Sequence, residues 1–439
     1  MRKTLLTITV LALALACGGE ETGGRPNVLL IIIDTLRSDH IHCYGYPRDI
    51  TPYMDSLAGA GTMWAFVQGQ SAWTLPAIAT IFSGLPERGH LAGAREGAMY
   101  GLAADLQTLP ELLSEAGYAT SGFYNVPVLG PGYGFDQGMD HVDVEGCRLA
   151  VDADVINDKF LRWIEEEYDR SRPFFSVLHY FDPHYPYDPP RPYRALFETD
   201  DSHPGTHWCT DPTELLINAN KSGRLTDSDL QRMIDLYDGE VAFADHEVGR
   251  LMRELRSRGL ADNTLVIVVA DHGEEFWEHG GLLHGFSLYR EATRVPLIIS
   301  GKGFEGGVVD SNVVCQMDVF STILDYAGVV GPEYAWGKSL RDHPSDRGRV
   351  FPSSGFASDA EHYLTVRKGM RRLFWDFEAD TAVVFDLTVD PLEHDSLPAD
   401  SALLEEVTYY WATPPAVQPA EVPGSQARIN TLRNLGYIR

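Results

Sequence analysis

The sequence predicts an α/β fold: a mostly parallel central sheet flanked by helices, with a small antiparallel sheet appended near the C-terminus. Three observations carry that expectation. Five short runs, residues 28–33, 119–124, 174–180, 265–270 and 295–300, are largely apolar on both alternating faces. A strand covered on both sides reads that way, whereas a half-exposed strand alternates. Helical segments at 51–59, 75–82, 108–116, 150–168, 227–258 and 318–327 fall between or beside these runs, and such alternation indicates parallel pairing through crossovers. Beyond residue 345 the pattern changes to short runs at 363–366, 373–377 and 383–387 divided by charged turns, which suits hairpin-connected strands.

In chain order the first segment stands outside the fold. Arg2 and Lys3 precede an apolar run over residues 5–16, which is shorter than the roughly 20 residues a spanning helix needs. Residues 1–16 therefore read as a signal peptide. Ala14-Leu15-Ala16-Cys17 is similar to a bacterial lipoprotein signal, which makes Cys17 the lipidation site and residues 17–24 a flexible tether. The expected location is the bacterial cell envelope, at the periplasmic or outer-membrane face, with membrane contact only through the lipid. A catalytic domain is expected over 25–345, with a surface excursion in the Pro-, Asp- and Thr-rich stretch 189–225. A small-sheet subdomain should follow over 346–411, then a tail over 412–439 with a short helix at 428–435.

The 439 residues are 44% hydrophobic and 22% charged, an ordinary globular composition. The net charge of −28 excludes a nucleic-acid partner, because a phosphate-backbone binder needs a basic face, and it opposes adsorption to anionic lipid. A small anionic substrate stays compatible, since a bound cation reverses the local potential. Among the cysteines, Cys315 lies in an apolar run and reads as a buried thiol. Cys147 and Cys209 lie in loop-like sequence and form the candidate disulfide, which an exported location permits. No Cys/His spacing matches a zinc finger.

Ligands of open parallel sheets bind beyond the carboxyl ends of the strands. The run at 28–33 leads into Asp34, and the run at 265–270 into Asp271-His272-Gly273. Either Asp alone would serve as a turn or helix cap. Together, with an imidazole alongside, they suit a shared divalent cation; zinc or manganese fits the mixed donors, and magnesium or calcium is admitted. Pro76 favours a helix first turn, which puts Thr74 at a helix N-terminus, where unpaired N–H groups attract an anion. Thr74 reads as a plain N-cap or, with a metal beside it, as an activated nucleophile. His179, Asp182 and His184 follow another strand, and His284 comes shortly after Asp271-His272. Histidines at strand ends can protonate a leaving group or contact an oxyanion.

These motifs, taken in order, resemble the sulfatase family of the alkaline phosphatase superfamily. The resemblance runs from about residue 25 to 397. It is carried by Asn27-Val28-Leu29 through Asp34-Thr35-Leu36-Arg37-Ser38-Asp39, Trp73-Thr74-Leu75-Pro76, Ser83-Gly84-Leu85 and Asp182-Pro183-His184. It continues in Asp271-His272-Gly273-Glu274-Glu275, His284-Gly285, Arg294-Val295-Pro296-Leu297 and Phe385-Asp386-Leu387. The resemblance implies an alkaline-phosphatase-like fold with a metal held by Asp34, Asp271 and His272 and touched by Thr74, whose oxygen attacks sulfur or phosphorus. It assigns His184 and His284 to the substrate anion or leaving group, and His179, Asp182 and Asn125 to substrate binding. One ion is implied, and a second near Asp182, His184 and His284 is left open.

The implied activity is a metal-dependent hydrolase of a sulfate- or phosphate-type ester, borne on a small molecule, a glycan or a lipid-linked group. Thr74-Leu75-Pro76-Ala77-Ile78 stands where formylglycine sulfatases carry C/S-x-P-S-R, and Thr cannot be matured to formylglycine. Thr35 replaces a usual second Asp, and Asn125-Val126-Pro127 replaces a usual Lys-plus-His stretch. In its Thr nucleophile the chain is similar to the phosphoethanolamine and phosphoglycerol transferases of the superfamily. A transferase and a non-catalytic surface-binding lipoprotein are the alternatives.

Overall fold

The computed structural model describes residues 25–95, 98–144, 152–197, 226–346, 348–355 and 362–423. The expected signal peptide, tether, Cys17, the Cys147/Cys209 pair and the helix at 428–435 lie outside the described residues. Labels are given to the strands of the two larger sheets and to the principal helices.

Strand β1 (Asn27–Ile33) is buried along its whole length. It lies between β5 (Phe174–Tyr180) and β6 (Thr264–Ala270), parallel to both. On the far side of β5 come β3 (Ala119–Tyr124) and β4 (His141–Val144), also parallel. The other half holds β2 (Thr62–Gln68), β7 (Arg294–Val295), β8 (Leu297–Ser300) and β9 (Val308–Cys315). The apolar run at 295–300 is a corrected expectation on two counts. Pro296, which has no N–H to give to a ladder, divides it into β7 and β8, and β8 runs antiparallel to both β6 and β2. The segment between β6 and β7 stays at the carboxyl edge, where the Gly273 N–H meets the Ala292 carbonyl and Arg294 pairs with Gln68, so the chain re-enters the sheet in the opposite direction. Strands β2 and β9 escape the sequence pattern because polar residues interrupt them and β9 bulges between Asp310 and Val313.

Helices α1 (Pro52–Ala60), α2 (Thr74–Ser83), α3 (Leu109–Glu115), α4 (Ala153–Glu166), α5 (Asp227–Ser257) and α6 (Gln316–Ala327) cover the sheet. Capping boxes at Thr108 and Thr226 start α3 and α5, each satisfying otherwise orphaned N–H groups. Among the described residues no helix is long and apolar enough to cross a membrane.

The second sheet is antiparallel: β10 (Phe351–Ser354), β11 (Tyr363–Lys368), β12 (Arg371–Asp376), β13 (Thr381–Asp386) and β14 (Leu397–Pro398). Helix α7 (Ser401–Ala412) was not expected; it packs Leu403, Val407 and Tyr410 on Leu364, Val366, Leu373 and Val384. Past it, Ala420–Glu421 returns to pair with Ala98–Gly101 of the main body.

Register is what assembles the site. Ile33 pairs with both Tyr180 and Ala270, so Asp34, Phe181 and Asp271 leave the sheet at one level. Gln68 pairs with Cys315 at the carboxyl ends of β2 and β9, which starts the chain towards Thr74 and Gln316 from the same edge.

Candidate active site

Asp34, Thr74, His179, Asp271 and His272 are all fully buried at that edge. Asp271 Oδ1 accepts the N–H groups of Thr35 (3.2 Å) and His272 (2.7 Å), which leaves Oδ2 directed elsewhere. Asp271 Oδ2 and both carboxylate oxygens of Asp34 are buried and accept no hydrogen bond. His272 donates from Nδ1 to the Gly273 carbonyl (3.0 Å). Its Nε2 lies 3.5 Å from Asp34 Oδ1, 3.4 Å from Asp271 Oδ2 and 3.2 Å from Thr74 Oγ1. His179 donates from Nδ1 to Asn125 Oδ1 (2.8 Å) and turns Nε2 towards Asp34 Oδ2 at 3.6 Å. Ligand atoms of Asp34, His179 and Asp271 all fall within 4.8 Å of one another.

Two buried carboxylates and two imidazole nitrogens that each present a lone pair to one point are mutually repulsive unless a cation sits among them. The electrostatics agree. Burial and the neighbouring Asp271 and Glu274 push Asp34 well above the usual carboxylate range. Burial raises Asp271 against the pull of His272. Burial and His272 push His179 down to about 3, so it is neutral and available as a ligand. The donor set fits a divalent metal of oxygen and imidazole preference.

Thr74 is the first residue of α2, after Trp73, which supplies no side-chain cap. The first-turn N–H groups and the positive end of the helix dipole therefore face the same region as the Thr74 hydroxyl. Thr35 adopts a left-handed backbone (φ 54°), an outlier for a β-branched residue. The strain places its N–H on Asp271 and its carbonyl under the Tyr237 hydroxyl (2.8 Å). Gly273 is required by space: a Cβ there would stand 1.9 Å from the Glu291 carbonyl oxygen.

Two more histidines border the cluster. The His284 ring centroid is 4.4 Å from that of His272 and 4.8 Å from that of His184. Burial pushes both His184 and His284 well below their ordinary value, with His284 acting on the former and His272 on both. His284 Nδ1 lies 2.9 Å from Glu274 Oε1, and the Tyr187 hydroxyl donates to Glu274 Oε2 at 2.9 Å. Burial raises Glu274 to about 8. His284 Nε2 is buried without an acceptor or donor partner.

The structure thus brings together Asp34, Thr74, Asp271, His272, His179, His184 and His284, with Asn125 behind His179. It does not bring in Asp182. That side chain accepts the Ala153 N–H at the start of α4 (2.8 Å) and is hydrogen-bonded to Glu240. An Asp after a buried strand has capped a helix here, the competing use of such a residue.

Sequence reasoning gave no role to Glu274, Tyr187, Gln70 and Gln316. Gln316 Nε2 donates to the carbonyls of Ala270 (2.8 Å) and Asp271 (2.5 Å), and its Oε1 accepts the Gln70 N–H (3.1 Å). Gln70 Oε1 accepts the Gln316 N–H in return (3.0 Å). This pair ties the strand end carrying Asp271 to the loop carrying Thr74. Glu274 sits two residues past His272 and could have been flagged there, whereas no sequence signal marks the glutamines.

Comparison with known proteins bears on the family and the fold. The family model described as Sulfatase matches residues 26–329. An arylsulfatase of Clostridium perfringens is 25% identical over 88% of this chain and 92% of its own. A solved structure bound to its substrate D-glucosamine-2-N,6-O-disulfate superposes with a TM-score of 0.72, at 21% identity, over 88% of this chain and 96% of the other. The phosphonate monoester hydrolase of Agrobacterium radiobacter superposes with a TM-score of 0.68, at 20% identity, over 94% and 96%. With the family match spanning well over half of the chain and the fold and strand-end cluster in place, this protein belongs to the sulfatase family, within the alkaline-phosphatase-like superfamily.

Proposed function

We propose that the protein is a metal-dependent hydrolase that cleaves a sulfate- or phosphate-type ester of a glycan through Thr74. The observation that carries this reading is the placement of Thr74 Oγ1, buried at the head of α2 and 3.2 Å from His272 Nε2, beside three carboxylate oxygens of Asp34 and Asp271 that accept no hydrogen bond. Asp34, Asp271 and His272, with His179 and the Thr74 oxygen beside them, would hold a divalent cation. Bound there, the cation supplies positive charge for the developing oxyanion and favours the alkoxide form of Thr74.

The residues do the rest. The α2 N-terminus attracts and orients the ester anion. Thr74 Oγ forms a bond to sulfur or phosphorus as the bond to the leaving alcohol oxygen breaks. His184 and His284 are neutral in the buried site, and an adjacent ester anion offsets that burial so that one of them can carry and deliver the proton the leaving oxygen takes. Water then cleaves the Thr74 ester and releases the inorganic anion. A glycan substrate is supported by the structural neighbour that binds a disulfated glucosamine.

A panel of aryl sulfate, glycan sulfate, phosphate monoester, phosphodiester and phosphonate, with and without chelator, tests the reading. Turnover should require metal and vanish in Thr74→Ala, and a sulfo- or phospho-adduct should appear on Thr74 by intact mass. Full metal-dependent activity in Thr74→Ala would overturn it, and an acceptor alcohol appearing in the product would convert it to transfer. Attachment to the cell envelope through lipidated Cys17 is proposed from the leader sequence; Cys17→Ser should move the protein from the membrane to the soluble fraction.

A further inference from the structure

Four arginines gather at one place beneath the C-terminal sheet. Arg290, Arg294, Arg367 and Arg372 line a void of about 30 Å³ with Phe66 and a single carboxylate, Glu393. In a chain of net charge −28 that excess of cations is local and unusual, and two of the four are almost wholly buried, Arg367 at 3% and Arg372 at 1% exposure.

The partners of the arginines leave charge over. Arg372 takes Glu393 (2.8 Å), the Leu288 carbonyl and the hydroxyls of Thr293 (3.0 Å) and Thr365 (3.1 Å). Arg290 leans on Asp39 (3.5 Å) and Glu291 (3.4 Å). Arg367 donates from Nε to the Gly369 carbonyl (2.9 Å), and Arg294 donates to the Ala65 carbonyl (3.2 Å). Both guanidinium groups stand over the Phe66 ring at 5.4 Å. Carbonyls and a ring satisfy donors without neutralising the cations. The Nε atoms of Arg294 and Arg372 are buried with no acceptor. Burial with Arg372 and Arg294 alongside pushes Arg367 down to about 9, and burial with Arg290 alongside lowers Arg294.

We propose that this void is a halide site, in which a chloride ion is held by Arg294, Arg367 and Arg372 between the C-terminal sheet and the segment from Leu288 to Arg294. A cavity measured in this way holds a water from ~10–15 Å³ upward, so the space has room for a monatomic anion. The ion offsets like charges that burial would otherwise make costly. It also braces the active site from behind: Ala292 and Glu291 carbonyls accept the Gly273 (2.8 Å) and Glu274 (3.1 Å) N–H groups, directly after Asp271-His272.

The test is thermal unfolding of the metal-loaded enzyme in a chloride series, with gluconate holding ionic strength constant. Wild type should show a saturable rise of about 2 °C or more in Tm. Arg367→Met, which places an apolar chain beside Phe66 and Met370, should show no chloride response and should unfold higher than wild type in gluconate. Crystals of wild type grown in bromide should give an anomalous peak in the void. A Tm indifferent to chloride in wild type, an unchanged response in Arg367→Met, or an empty void in bromide would each overturn the proposal. Stabilisation by sulfate with none by chloride would also overturn it, in favour of an oxyanion site.

Discussion

At Thr74 the functional reading depends on neighbours 198 residues away in sequence, since His272 Nε2 is the polar atom facing its hydroxyl. Thr74→Ala should lower kcat by a factor on the order of 10³ or more, as loss of a nucleophile does, with the fold unchanged by circular dichroism. His284 presents a buried Nε2 towards the cluster while Glu274 fixes the other nitrogen. His284→Ala should cost about 10²–10⁴ in kcat on alkyl esters and far less on aryl esters, whose leaving oxygen needs no proton. Equal losses on both would rule out a leaving-group role.

Element junctions set the precision of the site. Gln316 opens α6 and holds the carboxyl end of β6 through two carbonyls, while Gln70 holds it in turn. Gln316→Ala leaves several buried groups unpaired and should destabilise by about 1–3 kcal/mol in urea titration, with a parallel fall in kcat. Asp182 and Glu240 meet between the β5 end and α5. Burial and Asp152 raise Asp182 to about 7, and burial with Asp182 raises Glu240. A folded-state value above the unfolded one, about 3.9, gives stability that is complete in acid and is lost as pH rises through about 7. Asp182→Asn keeps a donor towards Glu240 and should flatten that loss, gaining on the order of 1 kcal/mol over wild type at about pH 8. A wild-type stability that rises between about pH 5 and 8 would contradict this.

On the scale of the molecule, the acidic surface and the buried site pull in opposite directions. The surface of a −28 chain repels an anionic ester at long range, so attraction must arise locally, from the α2 terminus and the cation proposed between Asp34 and Asp271. Chelation should therefore abolish activity and lower Tm by about 3–5 °C, and a divalent ion should restore both. A chelated enzyme with unchanged Tm would show that Asp34 and Asp271 are compensated some other way.

Sequence by itself determined the parallel half of the sheet, because β1, β5 and β6 are buried on both faces and their runs are mainly apolar. It also marked Asp34, Asp271, His272 and Thr74, since strand ends and a proline-started helix are local features. It could not decide which partners these residues meet. Convergence depends on register, with Ile33 level with Tyr180 and Ala270, and register is a property of paired strands. For that reason His179 moved from the margin of the site to face Asp34, Asp182 left it for the head of α4, and Gln70 and Gln316 became its brace. The antiparallel course of β8 and the arginines under the C-terminal sheet were likewise decided by tertiary packing, which brings side chains from distant segments into one low-dielectric space where their charges must be balanced.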